Sequence, residues 1–250
     1  MRTPSDCRAC RDDGPFPFAF TMAFQPIVDL ARRRVWGYEA LVRGPAGEPA
    51  ATILSRITGD TVYRFDQLAR VRAIELAAGL FRDDPEARLS VNFLPNAIYE
   101  PIACLRRSLD AARRVGFPPD RIVFEFTERE RLRDPGHVAR IVAAHRHHGF
   151  LTALDDFGAG YAGLSLLADF RTDLIKIDMG LIRGLDADPM RAAIVATLFD
   201  LGRRLGIAVI AEGVETDAEV AALREAGATL FQGYRFARPL VEGLPAIDWP

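Results

Sequence analysis

Glu39, Asn92, Glu125, the adjacent pair Asp155-Asp156, Lys176, Glu212 and Gln232 are polar residues that recur along an otherwise apolar chain. From Asn92 onward the steps between them are 33, 30, 21, 36 and 20 residues, each about one strand–helix unit. Folded to one mouth, five carboxylates would repel one another unless cations neutralised them. All the candidate ligands offer hard oxygen, with neither histidine nor cysteine among them, which selects Mg²⁺, Mn²⁺ or Ca²⁺ over zinc. The adjacent aspartates let Asp155 bridge two ions while Asp156 holds only the second. Ion pairs ~3.5–4 Å apart activate water for in-line attack on phosphorus. A lysine beside them would orient the attacking hydroxide and offset charge on the phosphorane. A lone strand-end acid is usually a solvated side chain or a helix cap; a series at successive strand ends is not.

The lysine stands out on composition alone. Lys176 is the only lysine among 32 basic residues, and asparagine occurs only at Asn92 and Asn96. A codon bias toward arginine accounts for the rest of the surface. A site that needs a compact ammonium, which the rigid arginine fork cannot imitate, accounts for the exception.

These residues need elements that end together. Met22–Leu30 and Val35–Arg43, joined by a basic turn at Ala31–Arg34, read as an antiparallel hairpin. A helical pattern runs from Thr58-Gly59-Asp60, with Asp60 as N-cap, to about Phe81. Short apolar strands follow at Arg88–Phe93, Arg121–Thr127, Phe150–Asp155, Asp173–Asp178, Ile207–Glu212 and Thr229–Gln232. Helices lie between them, among them Pro189–Leu205 with Ile194, Thr197, Leu198, Leu201 and Leu205 on one face. This alternation implies a mainly parallel sheet covered on both sides. With about eight strands and no glycine-rich nucleotide turn, a closed α/β barrel is favoured over an open sheet. In a barrel the polar positions converge on the C-terminal rim, and period-two alternation sets Glu125 above Val123, Lys176 above Leu174 and Glu212 above Ile210.

The composition sets the outer bounds. At 250 residues, 49% hydrophobic and 26% charged, the chain is long enough to bury a core without disulfides. A net charge of −2 argues against a generic nucleic-acid or membrane-surface binder. No apolar run reaches the ~20 residues needed to span a bilayer. The first residues lack the pattern of a signal peptide, so a cytoplasmic protein is expected. Residues 1–20 read as an irregular lead carrying Cys7-x-x-Cys10, and 21–250 as one catalytic domain.

The motifs around these positions resemble, from about Phe24 to Leu240, the EAL-domain family of cyclic di-GMP phosphodiesterases. The naming signature is Tyr38-Glu39-Ala40-Leu41-Val42-Arg43-Gly44. With it stand FQPIVDL (24–30), SVNFLPN (90–96), FEFTE (124–128), DDFGAGY (155–161), LIKID (174–178), AEGVET (211–216) and FQGYRFARPL (231–240). Eight motifs in order are specific where three letters are not. The resemblance implies a modified TIM (β/α)8 barrel with an antiparallel first strand, and hydrolysis of cyclic di-GMP to linear pGpG. It implies two ions, Mg²⁺ or Mn²⁺: Glu39, Asn92, Glu125 and Asp155 on the first, and Asp155, Asp156 and Glu212 on the second. Lys176 would orient the water with Asp178 assisting, so that Lys176, Glu39, Asp156, Asp178 and Glu212 form the catalytic set. Gln25, Arg43 and Gln232 would contact substrate. Glu128 and Glu215 would brace the loop that carries Asp156. A homodimer is the family expectation.

The chain departs from the family where active members typically read DDFGTGYSSL: it has Ala159, Ala162 and Gly163. That wording resembles a branch often attached to blue-light sensors, which holds both hydrolases and members that bind a transcriptional regulator. A separate sensor or regulator protein is therefore an expected partner, and a receptor or regulator-binding module is the alternative reading. Smaller signals read as structural. Cys104 reads as core, His145, His147 and His148 as helix-end residues suited to the dipole, Trp36 as packing and Arg32–Arg34 as a solvated turn.

Overall fold

Every residue of β1 (Thr21–Asp29) is buried, because the strand is sandwiched by neighbours on both edges. It turns back through Arg32, whose amide donates to Asp29 Oδ1 over 3.1 Å, into β2 (Arg34–Arg43). The two are antiparallel and set Gln25 opposite Glu39. The structure, a computed structural model, describes residues 16–59, 61–94, 101–127, 135–160 and 163–250. Cys7, Cys10, Asp60 and Glu128 lie outside the described residues, as does the side chain of Cys104. Within the expected irregular lead, Phe16 and Phe20 are half-buried, their rings 6.0 and 5.1 Å from that of Phe65.

After β2 come α1 (Ala50–Leu54), α2 (Val62–Leu80), β3 (Arg88–Asn92), α3 (Pro101–Val115) and β4 (Ile122–Thr127). Then follow α4 (Pro135–His147), β5 (Leu151–Phe157), α5 (Gly163–Asp169), β6 (Leu174–Ile177) and α6 (Met179–Ile182). The chain ends with α7 (Pro189–Leu205), β7 (Ala208–Ala211), α8 (Asp217–Glu225), β8 (Leu230–Gln232) and β9 (Leu240–Val241). Strands β2 to β8 pair in chain order and in parallel, and β1 lies antiparallel between β8 and β2, closing the barrel. This is the modified TIM barrel with a reversed first strand. The short β9, absent from the sequence reading, pairs with Ala23 and Phe24 beside the rim. Among the described residues no helix is long and apolar enough to cross a membrane.

The inside of the barrel places the site. Ile27, Val123, Ala153, Leu174, Ile210 and Leu230 form one buried cluster, with Trp36 and Leu151 packed against it. Each of the six lies two residues from Gln25, Glu125, Asp155, Lys176, Glu212 or Gln232, so strand alternation lifts those polar side chains into the layer directly above. Full burial of each Val, Ile or Leu contributes about 1.5–3 kcal/mol. The polar layer therefore stands on a buried, close-packed apolar floor. Two larger clusters lie between the barrel's outer surface and the helices.

Two expectations change here. On α7 the buried residues are Val195, Phe199 and Gly202, whereas Ile194 and Leu205 are 42% and 41% exposed. The helix is apolar on more than half its circumference, and a close approach decides which side packs. A Cβ on Gly202 would stand 2.3 Å from Val209 Cγ2. His145 is not a charged helix-end residue. It is fully buried among the rings of Phe93, Phe124 and Phe150, and its Nδ1–H donates to Ile141 O over 2.8 Å. Burial drives its pKa down to about 3.

Candidate active site

Lys176 Nζ is the point on which the rim converges. It stands 3.0 Å from Glu39 Oε2, 2.8 Å from Glu125 Oε2, 3.4 Å from Asp155 Oδ1 and 2.5 Å from Glu212 Oε1. These come from β2, β4, β5 and the residue after β7, whose amide continues the ladder to Ile177 O. Asn92 closes the ring from β3, its Nδ2 donating to Glu39 Oε1 over 2.9 Å. Gln232 donates to Glu39 Oε2 over 2.8 Å. Gly233 follows it because a Cβ there would lie 2.0 Å from Val214 O.

The adjacent aspartates need a special backbone. Regular alternation would send Asp155 and Asp156 to opposite faces of β5. The β5–β6 register shifts between Leu154 and Phe157, and Asp156 takes a left-handed φ of +53°. This bulge turns both carboxylates to the mouth. Aspartate tolerates the left-handed region better than most residues. Asp156 Oδ2 is held there by the hydroxyl of Thr127, 3.0 Å away at the end of β4. Asp156, Asp178, Gln25, Glu39, Glu212 and Gln232 all line a cavity of about 240 Å³.

The charges do not balance. Four carboxylates surround one ammonium, so full ionisation would leave three net negative charges. Burial raises Glu125 to about 8, with Lys176 opposing and Glu39 and Asp155 adding to the rise. Burial, then the charge of Asp155, lifts Glu212 well above the ordinary carboxylate range. For Lys176 burial alone would depress the ammonium, but the carboxylates outweigh it and hold its pKa well above the usual value. Lysine thus supplies part of the neutralisation that the sequence reading assigned to cations alone.

Among the described residues no three histidine, cysteine, aspartate or glutamate side chains surround a common cation position. The donor chemistry nevertheless fits a hard divalent ion. Glu125 Oε1 is buried and accepts no hydrogen bond, and Asp155 Oδ1 has only the Lys176 ammonium at 3.4 Å, so both oxygens are suited to a hard cation.

The remaining expected residues lie around this ring. Arg43 stands at the end of β2, its Nη1 donating to Val42 O over 2.7 Å. Glu215 lines the cavity together with Asp156 and pairs with Arg183, just after α6, at 2.9 Å. Asp178 lines the cavity and caps α6, accepting from Gly180 N over 2.8 Å. Thr127 was missed, because a threonine at a strand end carries no signal of its partner.

A parallel barrel with one reversed strand and a ring of acids around one lysine defines a narrow class. The chain belongs to the EAL domain family, whose profile matches residues 18–239. It is 33% identical over 228 residues to the blue light- and temperature-regulated antirepressor BluF of Escherichia coli (strain K12), covering 91% of this chain and 56% of that protein. It is 35% identical over 227 residues to the probable cyclic di-GMP phosphodiesterase PdeG of the same organism, covering 87% and 44%. The chain thus spans about half the length of these curated relatives. Among solved structures, a standalone versatile EAL protein from Vibrio cholerae O395, in its c-di-GMP-bound form, is 51% identical with a TM-score of 0.89, covering 94% of this chain and 98% of that one. The manganese and cyclic di-GMP complex of Klebsiella pneumoniae BlrP1 at pH 6 is 37% identical with a TM-score of 0.86, covering 93% and 59%.

Proposed function

We propose that this chain hydrolyses one phosphodiester bond of cyclic di-GMP to give linear pGpG, using divalent cations. The observation that carries the reading is the convergence of Glu39, Glu125, Asp155 and Glu212 on Lys176 Nζ at the barrel mouth. Glu39, Asn92, Glu125 and Asp155 would hold one ion, and Asp155, Asp156 and Glu212 a second, Mg²⁺ or Mn²⁺. Bound there, the ions would neutralise phosphate charge and lower the pKa of water beside the phosphorus.

The chain's own residues do the rest. In the metal-free site the surrounding carboxylates keep Lys176 protonated, and its proposed role is that of a fixed cation rather than a base. Its ammonium orients the attacking water and balances negative charge that grows on the phosphoryl oxygens. Asp178, held by its bond to Gly180 N, presents its carboxylate to the cavity beside Lys176. Gln25 and Gln232, whose side chains lie 3.4 Å apart, form an amide wall for the phosphate or guanine edge. A homodimer and a separate sensor or regulator chain are part of this proposal.

The similarity to the antirepressor BluF favours a second reading, a module that binds cyclic di-GMP or a regulator without turnover. Incubating purified protein with cyclic di-GMP and Mg²⁺ or Mn²⁺, then with EDTA, separates the two. Metal-dependent pGpG is expected. Bound but unhydrolysed cyclic di-GMP would support the second reading.

A further inference from the structure

We propose that Asp66 is a positioning residue for Asn92, acting through the backbone amide of Leu94 and braced by Arg70. The inference rests on the reading of Asn92 as a cation ligand. Asp66 and Arg70 form an ion pair one turn apart on α2, with Oδ2 and Nη2 at 2.6 Å and side-chain exposures of only 5% and 1%. Arg70 is locked on every side. Its Nε donates to Asp66 O over 3.1 Å, its Nη1 to Ser108 Oγ over 3.0 Å on α3, and its guanidinium lies 5.7 Å from the ring centre of Phe124.

The second oxygen of Asp66 faces the barrel. Asp66 Oδ1 accepts from Leu94 N over 3.1 Å, just beyond the end of β3. One residue earlier, Phe93 N donates to Glu125 O over 2.9 Å. The chain leaving β3 is therefore gripped from both sides, by β4 and by α2. Asn92 lies immediately before this grip. Its own side chain is exposed at the mouth, with its amide on Glu39. A clamped exit sets where the Asn92 carbonyl oxygen points.

Stability alone does not explain the pair. An ion pair buried this deeply adds little over apolar side chains of equal volume. What an apolar pair lacks is an acceptor for the Leu94 amide. Supporting groups behind a ligand typically govern affinity 10–100-fold.

The test keeps Arg70→Met in both arms, so that no unpaired charge is buried. Asp66→Asn with Arg70→Met keeps the acceptor; Asp66→Leu with Arg70→Met removes it. Mn²⁺ binding to the substrate-free protein is measured by calorimetry, beside thermal unfolding. The asparagine pair is expected to bind Mn²⁺ within about 3-fold of wild type, and the leucine pair roughly 10–100-fold more weakly. In an Asn92→Ala background the two pairs should bind alike, because residues that act through one another are not additive. A purely structural role would leave the difference intact in that background. Equal affinities in the two pairs, or a difference undiminished by Asn92→Ala, would overturn the proposal. A wild type that binds no Mn²⁺ overturns the ligand reading and this inference with it, whereas wild-type binding without coupling overturns this inference alone. If the leucine pair does not fold, Asp66→Ala with Arg70→Met reads the same difference.

Discussion

Glu125 Oε2 accepts a hydrogen bond from Lys176 Nζ over 2.8 Å, while Glu125 Oε1, equally buried, accepts none. That asymmetry sets how the site responds to protons and to cations. One oxygen faces the lysine, and the other is open to a proton or a cation.

Without metal, folded Glu125 holds its proton up to about pH 8, against 4.5 for the ordinary group. The stability that comes with that proton is complete below pH 4.5 and is lost as pH rises through 8. Glu212 shifts in the same direction. Between pH 6.5 and 8 the metal-free protein should therefore unfold at lower temperature as pH rises. Glu125→Gln should flatten the slope, and Mn²⁺ should reverse it in the wild type by favouring the ionised form. A metal-free midpoint that climbs across this interval would contradict the charge balance described above.

His145 works the other way. Its pKa is about 3 when folded and 6.5 ordinarily, so the stability tied to the neutral ring is complete above 6.5 and lost as pH falls toward 3. The loss is on the order of 4 kcal/mol over that range. His145→Phe keeps a ring among Phe93, Phe124 and Phe150 and removes the titration. Its acid unfolding midpoint should lie at lower pH than wild type, and an unchanged midpoint would mean that His145 charges without unfolding the protein.

Thr127 holds Asp156 at a backbone conformation that aspartate adopts at a cost. Thr127→Val keeps the shape and removes the hydroxyl. Stability should fall by about 1 kcal/mol, and turnover by roughly 10-fold or more. Thr127→Ser should restore both. A valine variant with full activity would show that Thr127 is not needed to aim Asp156.

What the sequence made legible follows from the physics of strands. Glu125, Lys176 and Glu212 each stand two residues from Val123, Leu174 and Ile210, so alternation and βα spacing place them without coordinates. Asp155 and Asp156 do not follow that rule. The motif set them in one site, but only the bulge at φ +53° explains how neighbours share a face. The packed side of α7 depended on how closely Gly202 meets Val209, a tertiary distance with no local signal. Asp66 and Arg70 read as an ordinary charged pair one helical turn apart, and only burial reveals what they grip.

The central claim is that the lysine in the acidic ring works in the reaction rather than merely holding the fold. The most direct measurement compares wild type and Lys176→Ala for cyclic di-GMP hydrolysis with Mn²⁺ and for cyclic di-GMP binding, with folding checked by thermal unfolding. Turnover should fall on the order of 10²–10⁴-fold, while binding stays within a few-fold. Turnover retained by a folded Lys176→Ala protein, or binding lost together with turnover, would contradict the account.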